Sequence, residues 1–492
     1  MSAGKTEASP SHANAVLHAC RKHAVANEWA AVIDKTEDRA LQILQPQLVM
    51  QRLYAALMLN DEVLVTQVTE RVLEPDISVG VKLAAVKELA LRKHPEKGAR
   101  ILITDSEAQA SPRFGKAARH VFKHLQDPIL KNELKDCVSN FRGGGDLIKS
   151  DKTSFSFRKQ PKNEVWGTVA LTASPKTSSH HAEMLTSDAA KFRESAEAGR
   201  QPKVIEYRNV FTEPSGQIWT EKGELIVPRG IPMATLDRAS VETVSIGFAG
   251  NRGSRGIYHW IADYLPRLAW IPDSDILEDE GFKILLNGKN PGFEQVTLDI
   301  LGFGAAAKKL TEPVFVERLL LAPVTFKGMV GWKHLDPVYE TLGEEASRLA
   351  AEHGVELPER LYITRRDADR RVLTNEAEIE ALARERGFEI QEFSSIPLWH
   401  QIALARHASV IMAPHGAGLS HIVFSRPGTM ILELLPIKDG SYALRFNYAR
   451  LSITKGHDYR AWLEEQQILV NEWTIDLDSF VPFLDSALHK AE

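Results

Sequence analysis

The stretch SVIMAPHGAGLSH, residues 409–421, decides the fold of the C-terminal half of the chain. The run VIMAP has the length and apolar character of a buried strand, and the turn HGAG leads from it into the start of a helix. Such a turn exposes main-chain amides at the positive end of a helix, and its small residues let a diphosphate approach the backbone. A close-packed connection without a ligand is the alternative interpretation.

Short apolar strands alternate with helical segments on both sides of this stretch, from about residue 252 onward. The strand candidates are FKILLNG, ERLLLAP, RLYITRR, FEIQEFS, SVIMAPHG and TMILELLP. This alternation predicts parallel sheets covered by helices. The segment is longer than one doubly wound sheet requires, so we expect an α/β fold with two Rossmann-like lobes and a ligand site in the cleft between them.

The N-terminal part has a different sequence pattern, because apolar residues recur at helical spacing from about residue 13 to residue 125. We therefore predict an all-α domain over residues 1–140, with helices stacked as in helical repeats, that docks a protein partner or self-associates. The Gly-rich and Lys-rich residues 141–162 form a predicted linker. Residues 163–335 and 336–492 are then the first and second Rossmann-like lobes.

Composition excludes several classes of protein. The net charge of −5 and the pI near 6.4 give no basic field for nucleic-acid binding. The two cysteines, Cys20 and Cys137, stand alone, which argues against a disulfide framework or a structural zinc site and favours a reducing compartment. No signal peptide or membrane span is recognisable, so we expect a cytoplasmic protein, with a peripheral position at the inner face of the membrane as the alternative.

The segment YHWIADYLPRL, residues 258–268, predicts a pair of side chains suited to proton transfer. On a helix, His259, Asp263 and Arg267 are four residues apart and share one face. A carboxylate beside a histidine can act as the general base, or it can fix the imidazole tautomer so that the imidazole does. Pro266 would end or kink this helix. An ordinary ion pair on a solvated face is the alternative.

Two further segments predict contacts to a nucleotide. In RLYITRRD, Arg365 and Arg366 follow a strand, where a planar guanidinium suits a pyrophosphate, although the same charges could balance one another in a solvated loop. In PGTMILELLP, Glu433 lies among apolar neighbours and needs a partner, which is either a ribose diol or a cation of the fold. His415 can donate a hydrogen bond to a phosphate oxygen.

In their order and spacing, these segments resemble glycosyltransferase family 61 over about residues 204–436. The segments that carry the resemblance are YHWIADYLPRL, LYITRRDADRRVLTNEAEIEALARERGFEI, the following Gln401, and SVIMAPHGAGLSHIVFSRPGTMILELLP. The resemblance implies two GT-B-like lobes, an inverting mechanism, a nucleotide-diphosphate sugar as donor and no required metal or other cofactor. It gives no counterpart for the helical N-terminal region.

The resemblance also implies roles for individual residues. Asp263 and His259 fall in the segment that faces the acceptor, and Glu433 matches the ribose contact. The residues that match the diphosphate site are Arg365 or Arg366, His415, Gly416, Ala417, Gly418 and Leu419. With no DxD-type metal motif convincingly placed, these groups would hold the leaving charge.

The expected function is sugar transfer to a hydroxyl of a glycan, glycolipid or protein acceptor, with surface polysaccharide assembly as the expected setting. One alternative is a non-catalytic nucleotide-binding protein that uses its helical arm for docking. Another is a metal-assisted phosphoester hydrolase, but the sequence contains no HxH or HExxH spacing for a metal centre.

Overall fold

The computed structural model describes residues 9–111, 114–141, 153–156, 165–197, 203–221, 225–227, 236–250, 256–271, 279–286, 292–322, 336–438, 446–466 and 472–489. A helical region comes first and is followed by two β-sheets with helices packed on them. The prediction of an α/β fold preceded by an all-α region is therefore confirmed. The predicted linker, residues 141–162, lies mostly outside the described residues.

The helical region packs its helices around apolar cores formed mainly by Leu, Val and Ala side chains. Its described helices are α1 (Pro10–Val25), α2 (Trp29–Lys35), α3 (Arg39–Leu44), α4 (Gln47–Leu59), α5 (Glu62–Val72), α6 (Val79–Leu91), α7 (Pro95–Thr104), α8 (Ser106–Ala110), α9 (Phe114–His124) and α10 (Pro128–Phe141). Buried Lys82 donates to Asp105 at 2.6 Å, and Asp105 also caps α8 by accepting from the Ala108 amide. Both carboxylate oxygens are thus used, as a buried charge requires.

The N-terminal sheet is mixed rather than parallel. Its described strands are β1 (Thr153–Ser156), β3 (Lys203–Thr212), β4 (Ile218–Thr220), β5 (Leu225–Val227), β6 (Glu242–Ala249), β7 (Phe282–Leu286), β8 (Ala307–Lys309) and β9 (Val314–Leu321). The order is β5-β4-β3-β9-β6-β7-β8, with β1 beside β3. Pairing is parallel from β9 through β8 but antiparallel around β3. A short turn through Gly216, with φ of 78°, joins β3 to β4, and such turns produce antiparallel neighbours.

The C-terminal sheet is parallel throughout, in the order β12-β10-β13-β14-β15-β2. Its strands are β2 (Thr168–Ala173), β10 (Arg360–Ile363), β12 (Glu389–Gln391), β13 (Val410–Pro414), β14 (Met430–Lys438) and β15 (Asp458–Gln466); β11 (Val372–Leu373) and β16 (Glu472–Trp473) form a separate pair. Strands β13 and β14 are mainly apolar and are buried on both faces, as helices on both sides of a parallel sheet require.

Strand β2 differs from its predicted place, since the sequence assigns residues 163–335 to the first lobe. It pairs instead with β15, so that Thr168 lies opposite Asp458. Gly167 permits this approach, because a Cβ at that position would lie 2.3 Å from the Ser452 carbonyl oxygen. The following helix, α11 (Ser179–Glu197), contacts the same half of the molecule through an ion pair of 2.7 Å between Asp188 and Arg450.

One apolar core joins the inner faces of both sheets. Phe248 of β6 and Ile411 of β13 belong to it, and the segment 257–271 contributes Trp260, Leu265 and Leu268 between them. The remaining described α-helices are α12 (Ile257–His259), α13 (Phe293–Ile300), α14 (Asp336–Glu352), α15 (Glu376–Glu385), α16 (Leu398–His407), α17 (Asn447–Lys455) and α18 (Leu477–His489). Among the helices described, none combines the length and hydropathy that crossing a membrane requires.

Candidate functional site

The turn after β13 is held in place by its main chain. The His415 amide donates to the Leu434 carbonyl at 2.8 Å, which extends the pairing of β13 with β14 by one residue. A helix begins directly after the turn, but it is a 3₁₀ helix, Ala417–Phe424. Its side chains from Leu419 to Phe424 are buried, as its mainly apolar sequence favours.

The two glycines of the turn are required by neighbouring side chains. A Cβ at Gly416 would lie 2.3 Å from Nε of Arg365, and a Cβ at Gly418 would lie 2.9 Å from Cγ2 of Ile363. The space beside Gly416 is therefore occupied by a guanidinium. Because Gly416 has no side chain, the Arg365 guanidinium can lie next to the main chain of the turn.

Arg365, and not Arg366, is the arginine that reaches the turn. Its Nη1 atom donates to the His415 carbonyl at 2.5 Å, and its main-chain amide donates to buried Glu376 at 2.7 Å. Burial lowers the pKa of the Arg365 guanidinium. Arg366 is exposed and pairs through Nε with Glu380 at 2.9 Å. Of the two arginines that the sequence leaves as alternatives for the diphosphate site, Arg365 is therefore the one beside the turn.

A cavity of about 300 Å³ lies beside this turn, at the carboxyl ends of β10 and β13. This is the edge at which open α/β sheets bind ligands. Its lining is mainly apolar with a few polar groups, as is usual for small-molecule sites. The lining residues are Ile257, Ile363, Thr364, Arg365, Asp367, Ala368, Phe393, Ser394, Gln401, Ala413, Pro414, Ala417, Gly418, Leu419 and His421.

His415 and Glu433 form a buried pair behind the turn. The His415 ring is 4% exposed, its Nδ1 atom contacts Oε1 of Glu433, and neither residue lines the cavity described above. The other oxygen of Glu433 accepts from the Tyr459 hydroxyl at 2.5 Å, and Tyr448 donates to the Gly416 carbonyl. Glu433 therefore has a histidine and a tyrosine as partners instead of a Lys or Arg, and its ribose role stays a prediction.

The predicted pair of His259 and Asp263 is present. Nδ1 of His259 lies 2.7 Å from Oδ2 of Asp263, and the imidazole is 44% exposed against 15% for the carboxylate. The carboxylate only accepts, so Nδ1 carries the proton and Nε2 is the basic nitrogen of the more exposed ring. The pair can therefore remove a proton from a hydroxyl that approaches Nε2.

The helix that carries the pair is irregular. After α12 the chain forms a π-helical turn, Trp260–Tyr264, and then a 3₁₀ helix, Leu265–Trp270, that contains Pro266. Arg267 does not share the polar face that regular helical spacing predicts: it is fully buried and donates to the Ala322 carbonyl. The wider turn and the tighter helix change the rotation per residue, so the regular spacing of four residues does not extend from Asp263 to Arg267.

A series of rings connects this pair to the turn. Centroid distances are 5.2 Å from His259 to Tyr258, 5.7 Å from Tyr258 to Tyr448, and 5.3 Å from Tyr448 to His415. Burial raises the pKa of the Tyr258 and Tyr448 hydroxyls, with nearby carboxylates as a further cause. Both phenols therefore stay protonated, and the Tyr448 hydroxyl donates its proton to the Gly416 carbonyl.

The sequence gives no role to His421, which lines the cavity. Its Nδ1 atom contacts the Gly418 carbonyl at 2.9 Å, and its buried Nε2 atom has no hydrogen-bond partner among the described residues. Burial lowers the pKa of this imidazole to about 4. Gln401, noted in the sequence only for the resemblance, donates to the carbonyls of Phe393 and Ile396.

Metal binding was not expected from the sequence. Within the described part of the chain, no three His, Cys, Asp or Glu side chains come together as a metal centre would need. The prediction that no metal is required stays a prediction.

The residues from α12 into β14 are similar to known glycosyltransferases. The family model described as Glycosyltransferase 61 matches residues 257–432, from α12 into β14. The chain is also 31% identical over 111 residues to the EGF domain-specific O-linked N-acetylglucosamine transferase of Drosophila melanogaster, which is 22% of this chain and 20% of that protein. The chain thus spans about a fifth of the length of the curated relative it matches.

These two matches support a glycosyltransferase. The matched region contains the His259–Asp263 pair, Arg365 and the HGAG turn. The match to the family model over residues 257–432 confirms the resemblance to glycosyltransferase family 61 that the sequence indicates. The helical region lies outside the matched residues.

Proposed function

We propose that this protein transfers a sugar from a nucleotide-diphosphate sugar to a hydroxyl acceptor, with inversion at the anomeric carbon. One observation supports this most directly: α12 begins at the cavity, through Ile257, and presents the His259–Asp263 pair two to six residues later. A basic pair and a cationic turn thus lie on adjoining segments. Transfer of a sugar needs a group that takes the acceptor proton and another that holds the leaving diphosphate.

In this proposal His259 takes the proton at Nε2, and Asp263 fixes the tautomer and stabilises the imidazolium that forms. The greater exposure of His259 favours this order of the two residues. The sequence also allows the other order, in which Asp263 is the base and His259 supports it. The oxygen of the deprotonated hydroxyl attacks the anomeric carbon as the bond to the diphosphate breaks on the opposite side, which inverts that carbon.

The leaving diphosphate would be held by Arg365 and by amides at the start of the 3₁₀ helix, Ala417–Phe424. Arg365 is partly buried, and a cation in a desolvated position interacts more strongly with an anion than one in water. The cavity of about 300 Å³ is large enough for the nucleoside end of a donor. No metal is part of this proposal.

The wider setting is also a proposal. The two sheets would serve as the acceptor and donor lobes of a GT-B arrangement, with the parallel C-terminal sheet as the donor lobe. The acceptor is a hydroxyl of a glycan, a glycolipid or a protein, in surface polysaccharide assembly. A reducing, cytoplasmic setting fits the thiol of Cys20, whose pKa burial raises to about 11, so that it stays protonated.

Two measurements test the function. The first is calorimetric titration of the full chain with UDP and with GDP, where we expect saturable binding of at least one that Arg365→Ala weakens. The second is transfer from a panel of nucleotide sugars in excess EDTA, where we expect turnover to persist. Absence of binding by any nucleoside diphosphate would contradict the donor site, and complete dependence on added divalent metal would contradict the metal-free mechanism.

A further inference from the structure

Glu433 is a fully buried carboxylate, 1% exposed, in the centre of a parallel sheet. Its two oxygens contact side chains from different strands: His415 follows β13, and Tyr459 belongs to β15. A carboxylate in this position is stable only if its oxygens accept hydrogen bonds, and both do so. A ribose diol would have to displace the His415 ring or the Tyr459 hydroxyl.

The contact with Glu433 determines the protonation of His415. A carboxylate accepts and does not donate, so Nδ1 of His415 carries a proton, and Nε2 is the nitrogen that does not contact Glu433. The Tyr459 hydroxyl prevents Glu433 from rotating away. Two further bonds hold the same turn, from Arg365 to the His415 carbonyl and from Tyr448 to the Gly416 carbonyl.

We propose that Glu433 is a positioning residue for the donor site that acts through His415 and is itself held by Tyr459. It does not contact the ribose of the donor. This inference rests on the proposed function, because the role of the positioned turn is to hold the diphosphate. Glu433 then orients His415 instead of binding the ribose, which agrees with its buried contacts to His415 and Tyr459.

The first test reads the His415 tautomer directly by NMR of the full chain labelled with ¹⁵N-histidine, with His415→Gln to assign the signal. In the wild-type chain we expect a single tautomer protonated at Nδ1. In Glu433→Gln the carboxamide can either donate or accept, so the signals should shift toward a mixture of tautomers. Tyr459→Phe keeps the carboxylate but removes the hydroxyl that holds it, so we expect a smaller shift toward a mixture of tautomers than in Glu433→Gln.

Glu464→Gln is the matched control for general damage to the sheet. Glu464 is also buried, lies in the neighbouring strand β15, and accepts from Ser174 at 2.6 Å and from Trp462 at 3.1 Å. Its substitution removes the same charge from the same sheet. We expect it to leave the His415 signals unchanged. His415 signals that are the same in wild type and Glu433→Gln would overturn the proposal.

The second test separates positioning from ribose contact. Calorimetry compares the affinities of three forms of each nucleotide: UDP, 2′-deoxy-UDP and 3′-deoxy-UDP, and the corresponding forms of GDP. We expect Glu433→Gln to weaken all three forms of a nucleotide by about the same factor, roughly tenfold, as loss of one charge-assisted hydrogen bond predicts. A preference for the intact ribose that disappears in Glu433→Gln would show direct contact and overturn the proposal. If wild type binds none of them, the proposed function fails, and the NMR test still decides the role of Glu433.

Discussion

Nη1 of Arg365 donates a hydrogen bond to the main-chain carbonyl of His415, and this bond connects the end of β10 to the turn after β13. The carbonyl occupies one donor of the guanidinium and fixes its plane beside Gly416. The cation is thereby oriented before any ligand arrives. A binding site prepared in this way loses less entropy when an anion binds.

Arg365→Ala should weaken binding of a nucleoside diphosphate by tenfold or more, because about 1.5 to 3 kcal/mol accompanies a hydrogen bond to a charged group. Arg366→Ala is the matched control, since it removes the same side chain from the next position, where Glu380 is the partner. Titration with UDP and GDP measures both variants. Equal losses in the two variants would contradict the assignment of Arg365.

Gly416→Ala should weaken the same binding without unfolding the protein. The new Cβ would meet Arg365 Nε at 2.3 Å, so the flexible guanidinium must move away from the His415 carbonyl. Gly80→Ala in α6 is the control, because the nearest atom to its Cβ is 4.0 Å away and alanine suits a helix. Thermal unfolding and titration of both variants distinguish a local displacement from general instability; wild-type affinity in Gly416→Ala would argue against the predicted displacement.

Asp263→Asn should lower transfer by about 10²-fold or more while donor binding persists. The amide can donate to Nδ1 of His259 and so favour the wrong tautomer for proton removal at Nε2. Asp485→Asn makes the same chemical change at an exposed ion pair with Arg386 and should leave turnover unchanged. Steady-state kinetics and titration with UDP and GDP provide the readouts. Undiminished turnover in Asp263→Asn would remove the pair from the proposed mechanism.

The stability of the C-terminal half should fall in mild acid. Burial lowers the pKa of His421 to about 4 and that of His457 to about 3, so both are neutral in the folded protein. Below the unfolded pKa near 6.5, the unfolded chain binds more protons than the folded one. The free energy of unfolding then decreases by up to about 1.4 kcal/mol per pH unit for each histidine, until the pH reaches the folded pKa.

His421→Asn tests this pH dependence. The Asn amide can still donate to the Gly418 carbonyl but does not titrate. Urea unfolding between about pH 7 and about pH 5, followed by tryptophan fluorescence, should show a smaller loss of stability in this variant than in wild type. If the free energy of unfolding falls equally steeply with pH in wild type and in His421→Asn, His421 is not the titrating group.

Local patterns in the sequence predict several parts of this molecule correctly. The strands around the HGAG turn are short apolar runs, and the contact of His259 with Asp263 follows from helical spacing of four residues. The contacts of Glu433 do not follow from such patterns, because they depend on the order of β13, β14 and β15 in the sheet. Tyr459 is 26 residues from Glu433. The π-helical turn at Trp260–Tyr264 likewise depends on tertiary packing, which the periodicity of YHWIADYLPRL does not reveal.

The pairing of β2 with β15 determines how this protein can be shortened. A fragment that begins after residue 173 would lack the outermost strand of the parallel sheet, and β15 would present its unpaired amides and carbonyls to other molecules. Exposed strand edges of this kind promote aggregation. A fragment meant to retain the C-terminal sheet should therefore begin before Gly167, even though the family match starts about ninety residues later.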